Sequence, residues 1–319
     1  MAAAALSPDL VERFRSDLHA LMGGDGGRLG IAVSGGPDSL ALLLLAQAAR
    51  PGEVTAATVD HRLRPESAGE AAFVASICAE LDVPHTTLAA DAPIEGNVQS
   101  GARALRYRLL GDWAAGAGID CLLTAHHRDD QAETLLMRLQ RGAGVAGLAG
   151  IRAATRIGGL AVARPLLGWT RAELRAVVDA AGLAPVEDPS NSDERYDRAR
   201  LRQYLAQADW IDTRGLARSA EALAEAEAAL EWATERLYRE RVETSGTAIQ
   251  LDPAGLPDEL RRRLVLRILA MLVTDAAPRG PDLQRLLAAL DEGGTATLAG
   301  VKASGGATWR FVSAPPRRG

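Results

Sequence analysis

Lysine is nearly absent from this chain. Of its 36 lysines and arginines, only Lys302 is a lysine. A Walker phosphate loop requires Gly-x-x-x-x-Gly-Lys followed by Ser or Thr, because the lysine must reach the outer phosphates. That class of nucleotide site is excluded. The dinucleotide fingerprint Gly-x-Gly-x-x-Gly is missing too, since the glycine turn reads Gly35-Gly36-Pro37-Asp38-Ser39. Long hydrophobic runs are also lacking. The longest, Leu40 to Ala46, is far below the roughly 20 residues of a membrane-spanning helix. The N-terminal stretch has no basic region ahead of its apolar residues, so it does not read as a secretory signal. Cysteine is scarce: Cys78 and Cys121 are isolated in apolar segments, as expected for buried thiols in a reducing cytoplasm. Positive charge is in deficit, at a formal net −5, which weighs against a nucleic-acid partner. A local basic face can nevertheless coexist with an acidic total.

What is present points to a nucleotide enzyme. A length of 319 residues exceeds the usual single domain, and 47% hydrophobic with 24% charged residues describes an ordinary globular protein. The run Leu29 to Val33 is a buried strand, followed by Ser34-Gly35-Gly36-Pro37-Asp38-Ser39 and the helix-forming run Leu40 to Ala49. A strand feeding a glycine turn into a helix N-terminus binds anions, through free backbone N–H groups and the positive end of the helix dipole. Read blandly, the same residues form a turn that binds nothing. Six residues in this order and context resemble the pyrophosphate loop, Ser-Gly-Gly-x-Asp-Ser, of the N-type ATP pyrophosphatase superfamily. That resemblance implies ATP on the loop amides and serine hydroxyls, with Asp38 near Mg²⁺.

The following segments alternate strands and helices. Val54 to Val59 reads as a strand, 66 to 81 as a helix, His85 to Leu88 as a strand, and Asn97 to Gly116 as a helix. Asp120 to Thr124 is a second buried strand and His127 to Arg141 another helix. This pattern predicts an α/β fold with a parallel sheet, whose ligands sit at the carboxyl ends of the strands. The glycine-rich stretch Gly142 to Gly150 reads equally as a linker or a mobile loop. A helix follows over Arg171 to Ala181, then a turn-rich connector, Pro185 to Asn191. From Leu216 the chain becomes rich in Ala and Glu, with leucines at 216, 223, 230 and 237 marking a long packed helix. A second helix, Pro257 to Val273, carries Arg261-Arg262-Arg263, and Thr295 to Val312 reads as a β-hairpin around Gly305-Gly306. Two domains are expected: a Rossmann-like catalytic domain at 1–215, and a smaller, mostly helical accessory domain at 216–319 ending in that hairpin.

Three further constellations carry chemistry. Asp130 and Glu133, three apart on a helix, share one face at a strand end. Paired carboxylates there suit a metal, a base or a cationic substrate, or simply stabilise a helix dipole. Arg103 and Arg106 are also three apart and able to present two guanidiniums to one anion. Arg195, Arg198 and Arg202 align if the chain is helical from about Glu194, a stripe suited to a polyphosphate backbone. The competing arrangement pairs them with Glu187, Asp188, Asp193 or Asp197.

Together these segments resemble the tRNA(Ile)-lysidine synthetase family. The resemblance rests on Ser34–Ser39, Val59-Asp-His-x-Leu-Arg64 with Ser67 and Glu70, Ala102-Arg103-x-x-Arg106-Tyr107, and Ala125-His-His-x-x-Asp130-x-x-Glu133-Thr. Gly142–Gly150, Arg164-Pro-Leu-Leu and Glu187-Asp188-x-Ser-Asn191 extend it over residues 28 to 202. The family usually has Arg-Asn-Arg where this chain has Arg198-Ala199-Arg200. The resemblance implies ATP-dependent ligation of free L-lysine to carbon 2 of the wobble cytidine in a CAU-anticodon isoleucine tRNA. It gives Asp130 and Glu133 the lysine ammonium, Arg106 the activated cytidine or its phosphate, and Asp38 the metal. It also places the enzyme in the cytoplasm, off any membrane, with a homodimer as an allowed assembly and the accessory domain on tRNA. The alternatives are a tRNA 2-thiolation enzyme, a small-molecule amidotransferase-type synthetase and a non-catalytic nucleotide-binding regulator. Reactive paired cysteines would mark the first, and an arginine stripe is superfluous to the second. Asp38, Asp130 and Glu133 together disfavour the third.

Overall fold

The computed structural model describes residues 6–24, 26–62, 66–90, 98–186, 197–208, 210–274, 278 and 280–314. It divides into two compact units, Met1–Ala224 and Glu225–Gly319. The division falls inside the long helix rather than before it.

The first unit is built on a six-stranded sheet in the order β3-β2-β1-β4-β6-β5. Its strands are β1 (Leu29–Ala32), β2 (Val54–Asp60), β3 (His85–Ala89), β4 (Cys121–Leu123), β5 (Ala154–Ile157) and β6 (Leu160–Ala163). All neighbours are parallel except the edge strand β5, which pairs antiparallel with β6. Sheets of this kind are covered on both faces, so their strands are apolar throughout. Leu29, Ile31 and Val33 join a large core cluster, while Ala57, Leu122 and Val162 pack with Leu110 in a smaller one.

The large cluster also takes side chains from α1 (Pro8–Met22), α2 (Pro37–Ala49), α3 (Ser67–Glu80) and α7 (Arg171–Ala180). Leu110 belongs to α4 (Val98–Ala117). Because α2 is apolar all round, it must be enclosed. Leu40 to Ala46 have no exposed surface.

The expected elements are present to within a few residues at each end. Missing from the sequence reading were α1 and the β5–β6 hairpin, whose four-residue strands turn on Gly158-Gly159 at positive φ. The glycine-rich stretch is neither linker nor free loop. It contains the single helical turn α6 (Val145–Leu148) and is pinned to α5 (Arg128–Gln140). Gln131 Nε2 donates to Ile151 O (2.8 Å), Ile151 N–H donates back to Gln131 Oε1 (2.6 Å), and Arg138 Nη1 donates to Gly150 O (3.0 Å). Gly150 has φ +67°, and a Cβ there would meet Gln131 Oε1 at 2.4 Å, so the close approach requires glycine.

Helices α8 (Asp197–Gln207) and α9 (Thr213–Arg241) complete the run of helices before the C-terminal sheet. Leu237 of the α9 leucine heptad packs against the core of the second unit.

That unit is more strand-rich than its sequence pattern indicates. It holds an antiparallel sheet β7-β8-β11-β10-β9 with α10 (Asp258–Leu272) and α11 (Gly280–Asp291) packed on it. The strands are β7 (Val242–Ser245), β8 (Ala248–Leu251), β9 (Thr295–Leu298), β10 (Val301–Ser304) and β11 (Trp309–Ser313). The expected terminal hairpin is β10–β11, turning through residues 305–308. The hairpin β7–β8 escapes a sequence reading because its first strand is polar and follows directly on a helix.

The three consecutive arginines of α10 are all paired, so they form no free basic patch. Arg261 pairs with Asp258 and Asp291, Arg262 with Glu259, and Arg263 with Glu227 and Glu259. Glu227 is 2% exposed and takes both Arg263 Nη atoms, at 2.9 and 2.5 Å. Removing one partner of a buried pair leaves the other charge uncompensated. Arg263, however, keeps Glu259 when Glu227 is lost, so Glu227→Ala should destabilise the protein by about 1–3 kcal/mol in denaturant melts, whereas Glu235→Ala, at an exposed pair, should leave the melt almost unchanged.

Candidate active site

β1 has β2 on one side and β4 on the other, so the strand order reverses between β1 and β4. In open parallel sheets the crevice outside the carboxyl ends of two such strands is the ligand site. Residues 33–36 leave β1 there, and residues 124–127 leave β4.

The first loop is built by Ser39. Its hydroxyl accepts the Ser34 N–H (3.1 Å), contacts Ser34 Oγ (3.2 Å) and donates to Gly36 O (2.9 Å). Ser39 is thus spent on loop geometry, which leaves the first-turn amides of α2 as donors, since a helix satisfies none of them internally. Gly35 has φ +84°, and a Cβ there would sit 3.3 Å from both Val74 and Val186. Gly36 caps α2, Pro37 opens it, and Asp38 lies in its first turn.

Asp38 leads to the residue that sequence reasoning left without a role. His127 is 1% exposed and is the N-cap of α5. Its ring lies among three carboxylates: Nε2 is 3.4 Å from Asp38 and 3.5 Å from Asp130, and Nδ1 is 3.5 Å from Asp129. Burial pulls the imidazole pKa down, but Asp129, Asp38 and Asp130 outweigh it and raise it to about 9. His127 is therefore an imidazolium at neutral pH, bridging the phosphate-loop helix to α5. Its partner Asp129, held mainly by His127, has its pKa lowered to about 2, and also accepts the Arg171 N–H of α7 (2.9 Å). The neighbouring His126 behaves oppositely. Burial, with the nearby charges of Arg164, Arg198 and Arg103, overrides Asp130 and lowers it to about 4, so it is neutral.

Asp130 and Glu133 do share a face of α5, as their spacing indicates. Both are bonded to α8. Arg198 Nη2 donates to Asp130 Oδ1 (3.0 Å) and Arg198 Nε to Glu133 Oε2 (2.8 Å). Arg202 donates through Nε to Glu133 Oε1 (2.9 Å) and through Nη2 to Oε2 (3.3 Å). Glu133 is 1% exposed. Burial opposes ionisation of Asp130, yet His127 and Arg198 hold its pKa below the usual carboxylate value. Arg198 and Arg202 of the stripe are thus engaged with the two carboxylates of α5 rather than free for phosphate. Glu187, Asp188, Asp193 and Arg195 lie outside the described residues, as does the Asp197 side chain. Ala199 is 5% exposed, so the position that usually carries Asn is packed here and a small apolar residue leaves no polar group unpaired.

Arg106, on α4, is solvent-accessible but set deep among protein atoms. That desolvation, with the charge of Arg103, lowers its pKa. Its charge reaches His61 at the end of β2, whereas that of Arg103, stacked over Tyr107 (5.1 Å), reaches His126. Asp38 Oδ1 is buried with no hydrogen-bond partner, as expected of an oxygen reserved for a cation. Among the described residues no three or more His, Cys, Asp or Glu side chains are arranged to hold a metal ion by themselves; Mg²⁺ is commonly held by one or two carboxylates together with phosphates and water.

The PP-loop domain family matches residues 10–209. A tRNA(Ile)-lysidine synthase of Novosphingobium aromaticivorans is 52% identical over 314 residues, covering 96% of this chain and 94% of the relative. One of Zymomonas mobilis is 46% identical over 297 residues, covering 92% and 90%. Among solved structures, the U34-tRNA thiolase NcsA from Methanococcus maripaludis shares the fold at TM-score 0.55 and 16% identity, over 68% of this chain and 79% of that one. The chain belongs to the tRNA(Ile)-lysidine synthase family, a ligase-type branch of the PP-loop ATP pyrophosphatases.

Proposed function

We propose that this chain joins free L-lysine to carbon 2 of the wobble cytidine in the CAU-anticodon isoleucine tRNA, through an adenylated intermediate. One observation carries the reading beyond family membership. At the switch point of the sheet, an anion-accepting helix N-terminus meets two carboxylates that already hold cations, the guanidiniums of Arg198 and Arg202. An anion site beside a cation site is what ATP and the lysine side chain require.

In the first step the cytidine O2 attacks the α-phosphorus of ATP, the bond to the bridging oxygen breaks, and pyrophosphate leaves. The α2 amides and the Ser34–Ser39 loop hold the phosphates. Asp38 would hold Mg²⁺, which when bound neutralises charge on the leaving pyrophosphate. His127, held as an imidazolium 3.4 Å from Asp38, fixes the direction in which that carboxylate points. In the second step the ε-nitrogen of lysine attacks carbon 2, the C2–O2 bond breaks, and AMP leaves with the oxygen. Asp130 and Glu133 position the ammonium, which must lose a proton before it attacks. Arg106 faces the cytidine or its phosphate, where a fixed cation stabilises developing negative charge.

ATP, free lysine and tRNA coexist in the cytoplasm, where we place the enzyme. The C-terminal unit is read as the accessory domain for tRNA, through side chains other than the paired arginines of α10. A thiolation reading finds no support in the cysteines. Cys78 is unexposed, with burial pushing its thiol up to about 11, and Cys121 is buried and raised by the same cause.

Asp38→Ala should lower lysine-dependent AMP formation by about 10²-fold or more while leaving a folded protein, because two other carboxylates still surround His127. Normal turnover by the folded variant, checked by a thermal melt, would exclude this role. Glu133→Gln should raise the Michaelis constant for lysine about 30-fold or more, the equivalent of roughly 2 kcal/mol, with little change for ATP. Equal losses for both substrates would instead assign Glu133 to the metal.

A further inference from the structure

We propose that Arg198 and Arg202 are place-holders for the substrate amine, drawn off Asp130 and Glu133 by phosphate oxygens, so that lysine gains its site only once phosphate is bound. The inference rests on the assignment of these carboxylates to lysine made above. It reconciles two facts: an acidic pair suited to an amine, and an arginine pair suited to phosphate, each saturating the other.

The geometry leaves no room for simple addition. Both oxygens of Glu133 are used, one by Arg202 Nε and the other by Arg198 Nε and Arg202 Nη2, in a residue 1% exposed. Arg171 Nη2 stands 4.0 Å from the same carboxylate. An incoming ammonium must therefore exchange with a guanidinium. Exchange of one cation for another never leaves the buried carboxylate bare, which would be strongly unfavourable.

The arginines are able to leave. Their side chains are 41% and 27% exposed, against 2% for Glu133, so an anion can approach them from the solvent side. Phosphate matches a guanidinium fork as well as a carboxylate does. Two sources of phosphate lie within reach of the idea. Asp38 is near enough to favour the charged form of Arg202, so nucleotide on the phosphate loop would be close to it. The tRNA backbone is the other source. In both cases binding of phosphate and of lysine must be coupled, and thermodynamics makes that coupling reciprocal.

The test measures lysine binding by calorimetry on the whole chain: alone, with a non-hydrolysable ATP analogue and Mg²⁺, with cognate tRNA, and with both. The expected result is that at least one phosphate ligand tightens lysine binding by about tenfold or more, with the same factor gained by that ligand when lysine is present. The arm that produces the gain identifies the phosphate. In Arg198→Gln/Arg202→Gln, where neutral amides still hydrogen-bond the carboxylates, lysine should bind more tightly without phosphate, and the phosphate effect should fall to about twofold or less. If that variant fails to fold, Arg198→Gln alone gives the same comparison. Wild-type lysine affinity indifferent to every phosphate ligand, or coupling undiminished in the folded variant, overturns the proposal. Glu133→Gln separates the two readings. Unchanged lysine affinity there moves the lysine site elsewhere, whereas lost affinity with intact coupling in the glutamine variant removes only the place-holder role.

Discussion

A single buried imidazolium holds the two halves of the site in register. His127 sits where α5 leaves β4, and its ring lies within 3.5 Å of carboxylates from the phosphate-loop helix and from its own helix. Burying a charged group among protein atoms is unfavourable unless opposite charges surround it. Here three carboxylates do so, and the ring in turn favours the ionised forms of Asp129 and Asp130. Loss of the imidazolium would leave three acids crowded together beside the phosphate loop. The parallel sheet supplies the location, and this charge cluster supplies the angular precision that the loops alone lack.

The surroundings reinforce that arrangement from several directions. Arg128 N–H donates to the backbone oxygen of Trp169 (2.8 Å), and Arg171 N–H reaches Asp129, so the N-termini of α5 and α7 are tied together. Trp169 is fully buried, donates its indole N–H to Asp17 of α1 (2.8 Å) and carries Arg13 over its ring at 4.1 Å. Behind the site, the Gln131 and Arg138 side chains fasten the glycine-rich stretch to α5. The described contacts of Arg198 and Arg202 of α8 with the site are ion pairs and hydrogen bonds to the carboxylates of α5.

Much of the fold was legible because parallel strands and amphipathic helices are local patterns. The runs at β1, β2 and β4, and the limits of α5 and α10, follow from apolar spacing and turn residues. Short elements were not legible. The β5 and β7 strands span four residues each and carry polar side chains, and their pairing depends on partners brought up by the rest of the chain. At the site, the Ser34–Ser39 loop and the shared face of Asp130 and Glu133 were visible as spacing. The position of His127 was visible only as the middle of a motif, with nothing to indicate that three acids converge on it.

The sequence by itself determined the chemical inventory and its local geometry: a glycine turn entering a helix, two carboxylates on one helical face, two arginines on another. Such relations span three or four residues, where helix and turn geometry settle distance. Tertiary structure decided which charges meet. Arg198 and Arg202 lie 65 to 69 residues from Asp130 and Glu133 along the chain, farther than the acids flanking them in sequence, yet they bond those carboxylates. Electrostatic attraction acts on separation in space, and in a chain folded around one sheet that separation is set by which elements the core brings side by side.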